Sequence, residues 1–565
     1  MKLRAVYLIL LMFLVQAVHA QDDGGNKYGT LTGDFETQNS FFIRDTLVGA
    51  AGPPQYDRQK FGTNNWLTLN YNFMGFDIGI RFDAYYNSNL IDPLDSYSAL
   101  GLGRWHIRKE VFGLDITAGY FYDQIGNGTI FRAYNERYLP IDNALVGGRL
   151  IYKINENWQA KAFVGQQKKV EKQLNLFDNY QPIIAGMAID GFIGIGKDQE
   201  LTLTPGAGAI RRTLDDATMD GIARDIGSYT ADDAFTPLYT VYAFSAYNTL
   251  TWKGLTWFVE GAYKTREAVN ALSPKGILEN KDGYNIYTTL SYSMKGFSIL
   301  GQYKRTDHFI LRTSPLQTLT RGMIAFLPPM ARQNTYRLSS RYNAATQDVG
   351  EQAVQLDVTV VPIKKKLTLN FNFSNIATID ATAMSENNEE VENDFGFGSE
   401  TFLLYREANL NALWKINKKM KLILGFQFQQ YNQARYEQKP GVPMVTTYIP
   451  YAEFRLRMKK RKSFRLELSY MHTKQDYGSW AFALAEFNVK DFSFWASLMV
   501  NTVYNDIQGR APGRFFYEFG ANYTHKSNKF EIGYKRQVEG IVCTGGVCRY
   551  QPAFNGVQFN VVSSF

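Results

Sequence analysis

The densest group of side chains able to bind or steer a polar ligand lies at 131–143, which reads FRAYNERYLPIDN. Arg132, Tyr134, Glu136, Arg137, Asp142 and Asn143 supply charge of both signs, hydrogen-bonding capacity and aromatic faces within a short span. Folded into a channel, such a segment makes a polar constriction whose paired charges hold it to the wall. The alternative is a loop whose ions pair only with one another. A second set, Asp77, Arg81, Asp83, Arg465, Glu467 and Glu518, falls on the polar phase of alternating segments and reads as lining a lumen. Its mixed signs predict weak charge selectivity.

Other chemistry is sparse. Cys543 and Cys548 frame Thr-Gly-Gly-Val, close enough for a small disulfide ring whose glycines permit the reversal; a metal site needs further ligands, and no histidine stands nearby. Glu389, Glu390, Glu392 and Asp394 form an acidic run within 386–394, and Asp215, Asp216, Asp220 and Asp225 form another. Either run could collect divalent ions, but neither has the spacing of a calcium loop, and solvated surface loops are the better reading, with a short helix possible in the second. After residue 20 the histidines are His106, His308, His472 and His525. None lies in a nucleophile elbow, a zinc-helix motif or a phosphate loop. We expect no catalysis, no metal and no cofactor.

These side chains need elements to carry them, and the pattern of those elements is period two. Phe76, Ile78, Ile80, Phe82 and Ala84 alternate with Asp77, Gly79, Arg81 and Asp83. Leu114, Ile116, Ala118, Tyr120 and Tyr122 alternate with Asp115, Thr117, Gly119 and Asp123, apart from Phe121 on the polar face. The same rhythm recurs at 422–429 and 452–458. Such segments have one face in an apolar medium and one in water.

The segments pair as hairpins joined alternately by short and long connections. Short turns include Met74-Gly75, Lys253-Gly254, Lys295-Gly296, 363–366, 417–419, 459–462, Lys490-Asp491 and 526–528; many carry lysine, and we place this end in the periplasm. Long polar loops run at 43–60, 125–143, 213–237, 309–350 and 376–401. The count is about 24 strands, within 22–26, the uncertainty being whether 335–342 spans or belongs to a loop. The expected fold is therefore a single closed antiparallel transmembrane β-barrel. The long loops either fold inward or lie over the mouth.

Composition agrees. The chain has 565 residues, 15% of them aromatic, with a net charge of +8 that gives no reason to expect nucleic acid binding. No stretch approaches the roughly 18 apolar residues of a spanning helix. Residues 1–20 have the layout of a secretory signal: Lys2 and Arg4, an apolar run from Val6 to Val15, then Val18-His19-Ala20 as the cleavage site. Only about eight residues separate Gln21 from the first strand, so a large N-terminal plug domain is not expected. The chain ends on Phe565, with Val557, Phe559, Val561 and Ser563 on the same face, which resembles the C-terminal signal read by the barrel-insertion machinery.

The segment 131–153, FRAYNERYLPIDNALVGGRLIYK, and the tail 543–565, CTGGVCRYQPAFNGVQFNVVSSF, resemble a Bacteroidota family of outer-membrane barrels of unknown function; 326–342 and Gly350-Glu351 share the resemblance. It implies the barrel and an outer-membrane location, and it carries no substrate, cofactor or catalytic residue. Two functions are compatible with these features. One is a porin-like channel for small hydrophilic solutes narrowed by inward loops, and the other is a scaffold or docking barrel in a surface or secretion assembly. Expected partners are outer-membrane lipids and lipopolysaccharide, the assembly machinery, and for the scaffold another membrane protein. A soluble β-rich protein is the remaining alternative, but it must explain apolar rows facing outward on strand after strand.

Overall fold

A computed structural model describes residues 29–52, 54–91, 96–137, 139–169, 181–270, 277–317, 321–347, 349–379, 403–437, 439, 441–504, 514–544 and 547–565. The expected secretory signal at 1–20, the acidic run at 386–394, Tyr138 and the side chains of Cys543 and Cys548 lie outside those residues.

Period-two alternation becomes strand after strand, because an extended chain points successive side chains to opposite faces. The described residues form 24 antiparallel spanning strands in one closed ring. Each strand pairs with its neighbour in sequence, and the first, Thr30–Phe42, closes on the last, Phe554–Ser564, with Asp34 opposite Ser564 and Phe42 opposite Gly556. Reciprocal bonds between the backbones of Gly33 and Phe565, 2.8 and 2.9 Å, seal the seam. A Cβ on Gly33 would fall 2.5 Å from the Phe565 ring, so the terminal aromatic lies where the first strand has no side chain. Closure leaves no unpaired strand edge, the condition for sheet to survive in hydrocarbon.

The two faces differ as the alternation requires. Ile80 and Phe82 are exposed on the outside while Arg81 and Asp83, between and beside them, are buried within. Leu290, Leu410, Phe426, Phe519 and Ile532 continue the outer apolar belt around the ring. At one end the hairpins turn in two residues at Met74-Gly75 and Phe112-Gly113, all four at positive φ, the backbone that a tight hairpin turn demands. No helix among the described residues is long and apolar enough to cross a membrane.

At the other end the connections 122–144 and 308–349 go inward. Residues 335–342 belong to the loop and add no strand: Phe297–Asp307 pairs directly with Gly350–Ile363, which leaves no edge for another strand between them. Leu338 and Tyr342 are instead buried in an apolar cluster with Tyr405, Tyr431, Ile449 and Trp480, all inside the ring, and Tyr336 is buried against Tyr451. A second cluster joins Ile125, Ile130 and Phe131 to Phe309, Leu311 and Ile324, and to wall residues Phe121 and Phe163. Phe121 breaks the alternation because it faces this packing.

The acidic loop at 213–237 forms a helix, Asp216–Ile226. Asp215 caps it by accepting from the Thr218 amide at 2.9 Å, and Asp216 sits in the first turn, where a negative charge suits the helix dipole. Its Met219, Ile222 and Ile226 pack on Leu214, Ala268 and Leu278. No cluster of three potential metal ligands occurs among the described residues.

The belt can be tested by charge. Leu410→Arg, outward at mid-strand, should destabilise the barrel by about 2–4 kcal/mol, whereas Leu410→Phe should be neutral; denaturant unfolding in lipid vesicles measures both.

Candidate functional site

The inward loops make the site. The connection 122–144 joins the strands Leu114–Phe121 and Leu145–Lys153, yet its contacts reach far around the ring. Arg137 is ion-paired with Glu36 on the first spanning strand and lies 5.1 Å from the Trp66 ring on the second. At its other side the Asn127 amide donates to Glu260 at 3.0 Å, on the strand Leu255–Asn270. The first and eleventh spanning strands face each other almost across a ring of 24, so the loop runs through the lumen as a chord.

Its strongest anchor is Asp142. Arg81 donates to one carboxylate oxygen at 2.6 Å and Lys168 to the same atom at 2.8 Å, while the Tyr122 hydroxyl donates to the other at 2.7 Å. Arg81 also bonds Asp83 at 2.7 Å. Burial alone would raise the Asp142 pKa, but Lys168 and Arg81 outweigh it and hold the carboxyl well below the usual carboxylate range. Burial also pushes the Tyr122 phenol up, helped by the Asp142 charge, so the phenol stays a donor.

The second connection, 308–349, crosses the rest of the lumen. Wall cations hold its backbone: Lys264 donates to the Ile310 carbonyl at 3.1 Å, Arg212 to Arg312 at 3.1 Å and Lys304 to Pro328 at 2.6 Å. Each of these cations is also ion-paired, Arg212 and Lys264 with Glu267 and Lys304 with Glu351. Further on, Arg332 donates to Asn409 at 2.9 Å, Asn334 to Glu407 at 3.1 Å, and Tyr342 to Asp476 at 2.6 Å. The Tyr336 ring packs at a tilt against Tyr451, centroids 4.4 Å apart, and Arg341 lies 4.7 Å over the Trp480 ring.

The two loops bind each other. The Arg132 amide donates to the Ile324 carbonyl at 2.9 Å and the Phe326 amide to Gly128 at 3.0 Å. The Arg132 guanidinium sits between Tyr134 and Phe326, 4.7 and 4.2 Å from their centroids. Asn143 bridges them, its amide nitrogen reaching the Arg132 and Met323 carbonyls and its oxygen the Tyr134 amide.

Of the residues singled out from sequence, Arg132, Tyr134, Arg137, Asp142 and Asn143 stand at these contacts, and Glu136 is half-buried in the short β-pair with Ile141. The charged side chains Arg137 and Asp142 bond to the wall and its loop-end flank rather than to each other. Arg81 and Asp83 face the loop directly. Arg465 gathers Glu453, Glu467 and Glu486 at 3.0, 2.6 and 3.0 Å, Glu518 stands opposite Lys535, and Asp77 faces His106 at 3.8 Å near the short-turn end. Cys543 and Cys548 are backbone partners in the hairpin Gly540–Thr544/Val547–Gln551. The anchors Glu36, Lys168, Arg212, Glu260, Lys264, Lys304 and Glu407 were missed. Those on strands occupy the polar phase, which marks them as inward without indicating which meet a loop.

Asp142→Asn removes a charge that three donors share. Breaking a buried ion pair on one side costs about 3–5 kcal/mol, and the loop should become cleavable by added protease near Arg132 and Arg137. Because the folded pKa is depressed, the anchor is complete above the unfolded value of about 3.9 and is lost only as pH falls through the lower folded value. Protection of the wild-type loop should therefore persist at pH 5 and fail only under strong acid.

Comparison with solved structures finds similar barrels at 8% identity. They include the P pilus usher translocation pore, with a TM-score of 0.39 covering 94% of this chain and 99% of that one. The siderophore receptor PirA of Pseudomonas aeruginosa gives 0.40, covering 95% and 80%, and the outer membrane transporter YddB of Escherichia coli gives 0.38, covering 94% and 81%. Comparison with curated proteins finds no match. A family model matches residues 1–565 throughout, and the chain belongs to that family, a family of unknown function (DUF6029).

Proposed function

We propose that this chain is an outer-membrane channel for small hydrophilic solutes whose opening is narrowed and gated by the loops 122–144 and 308–349. The observation that carries the reading is the chord from Glu36 to Glu260, tied to a second loop that crosses the remaining lumen. A wide cylinder needs a constriction if it is not to leak. Arg132, Tyr134, Glu136, Arg137, Asp142 and Asn143 then belong to the constriction, and Asp77 with the Arg465 group lines the wall below it. A disulfide between Cys543 and Cys548 would set the shape of the last hairpin, and Phe565 would present the terminal aromatic to the insertion machinery.

A second reading is a docking barrel. The apolar packing of Leu338 and Tyr342 against the wall, with Tyr336 against Tyr451, favours it, because a plug with a dry core resists opening. Purified protein in planar bilayers separates the two. The channel gives discrete conductance steps, and replacing 329–347 by a short Gly-Ser linker raises the conductance several-fold. A folded barrel that stays silent, and a loop-replaced barrel that stays silent too, would support docking and defeat the channel.

A further inference from the structure

Charges inside the barrel are, for the most part, matched. Arg212 and Lys264 share Glu267, Lys304 holds Glu351, and each carboxylate around Arg465 is bonded to it. One place differs. On the strands Phe515–His525 and Asn528–Gln537, Tyr517, Phe519 and Ile532 face out, so Glu518 and Lys535, opposite each other in register, face the lumen. No ion pair within 4.0 Å joins them.

Two more cations converge there. Arg337 comes from the inward loop 308–349, whose backbone at that residue bonds Glu467, and its side chain is exposed to solvent although the wall surrounds it. Arg549 comes from the hairpin ahead of the last strand; its Nε is shut off from solvent and has no hydrogen-bond partner. Lys535 lies within electrostatic reach of Arg337, Arg549, Glu518 and Glu531, and Arg337 within reach of Glu518 and Arg341. Arg341 is itself paired with Asp476 at 3.7 Å. Glu531 is taken up by Lys529 at 2.8 Å, so Arg337, Lys535 and Arg549 against Glu518 leave 3 − 1 = +2.

Gathering like charges without counter-ions costs free energy that a neutral side chain would avoid. From this cluster we infer an anion-binding station in the lumen, formed by Arg337, Lys535 and Arg549, that receives small solutes bearing a phosphate or carboxylate group. The station names the solute class of the channel and rests on that reading for its role in passage; binding itself does not.

Two measurements on the full barrel test it, with folding of each variant checked by heat-dependent gel mobility. Calorimetric titration with inorganic phosphate should show saturable binding, weakened about tenfold or more in Arg337→Gln/Lys535→Gln/Arg549→Gln, because charge-assisted bonds to the anion are lost. It should be unchanged in Lys153→Gln, whose exposed side chain pairs with Glu110 at a short turn on other strands. In bilayers under a KCl gradient the reversal potential should show anion preference. The triple variant should lower the anion-to-cation permeability ratio about threefold, and Glu518→Gln should raise it. Absent phosphate binding, or binding unchanged in the triple variant, overturns the station, and so does a conducting channel without anion preference, which leaves the channel reading standing. A silent barrel that binds phosphate through these residues keeps the station and defeats the channel.

Discussion

A ring of 24 strands encloses more space than its own inward side chains can fill, and the size of that lumen shapes the rest of the molecule. The outer face has a uniform solvent and a uniform answer, a belt of Leu, Ile, Phe and Tyr. The inner face has no such partner. Where the lumen is left to water, near the short turns, Asp77 and Val562 remain accessible. Toward the long loops the chain supplies the filling itself, from 122–144 and 308–349.

How that filling is held follows from the polarity of a lumen wall. A loop carries backbone carbonyls and amides that need partners once removed from water. The wall provides them by pointing long cations and carboxylates inward: Lys264, Arg212 and Lys304 each donate to a loop carbonyl while paired with an acid, and Glu260 accepts from a loop amide. Apolar side chains of the loops then dock on the few inward aromatic and aliphatic wall residues, Phe121, Phe163, Tyr405 and Trp480. The plug is thus a small protein core built inside a membrane cylinder. It has buried charge at its rim and packed rings at its centre.

Much of this was legible from residues. The alternation at 76–84 and 114–120 and the two-residue turns announced strands, hairpins and a closed ring, because period two and tight turns are local properties. The segment 131–143 was recognisable as a place where charge and aromatic surface concentrate. Its partners were not, since Glu36 and Glu260 stand 101 and 133 residues from the loop atoms they bond, and nothing in a strand's polar phase says which inward residue a distant loop will meet. Residues 335–342 illustrate the limit: their alternation fits a strand, and only the direct pairing of the flanking strands decides otherwise.

The sequence by itself determined the wall, because hydrocarbon on one side and water on the other impose a period that each strand carries alone. Tertiary structure alone decided what occupies the lumen. Whether a polar loop lies in solvent or bonds across a cylinder depends on donors and acceptors brought together from strands far apart in the chain. The surplus of positive charge near Arg337 and Lys535 appears only once the ring has closed.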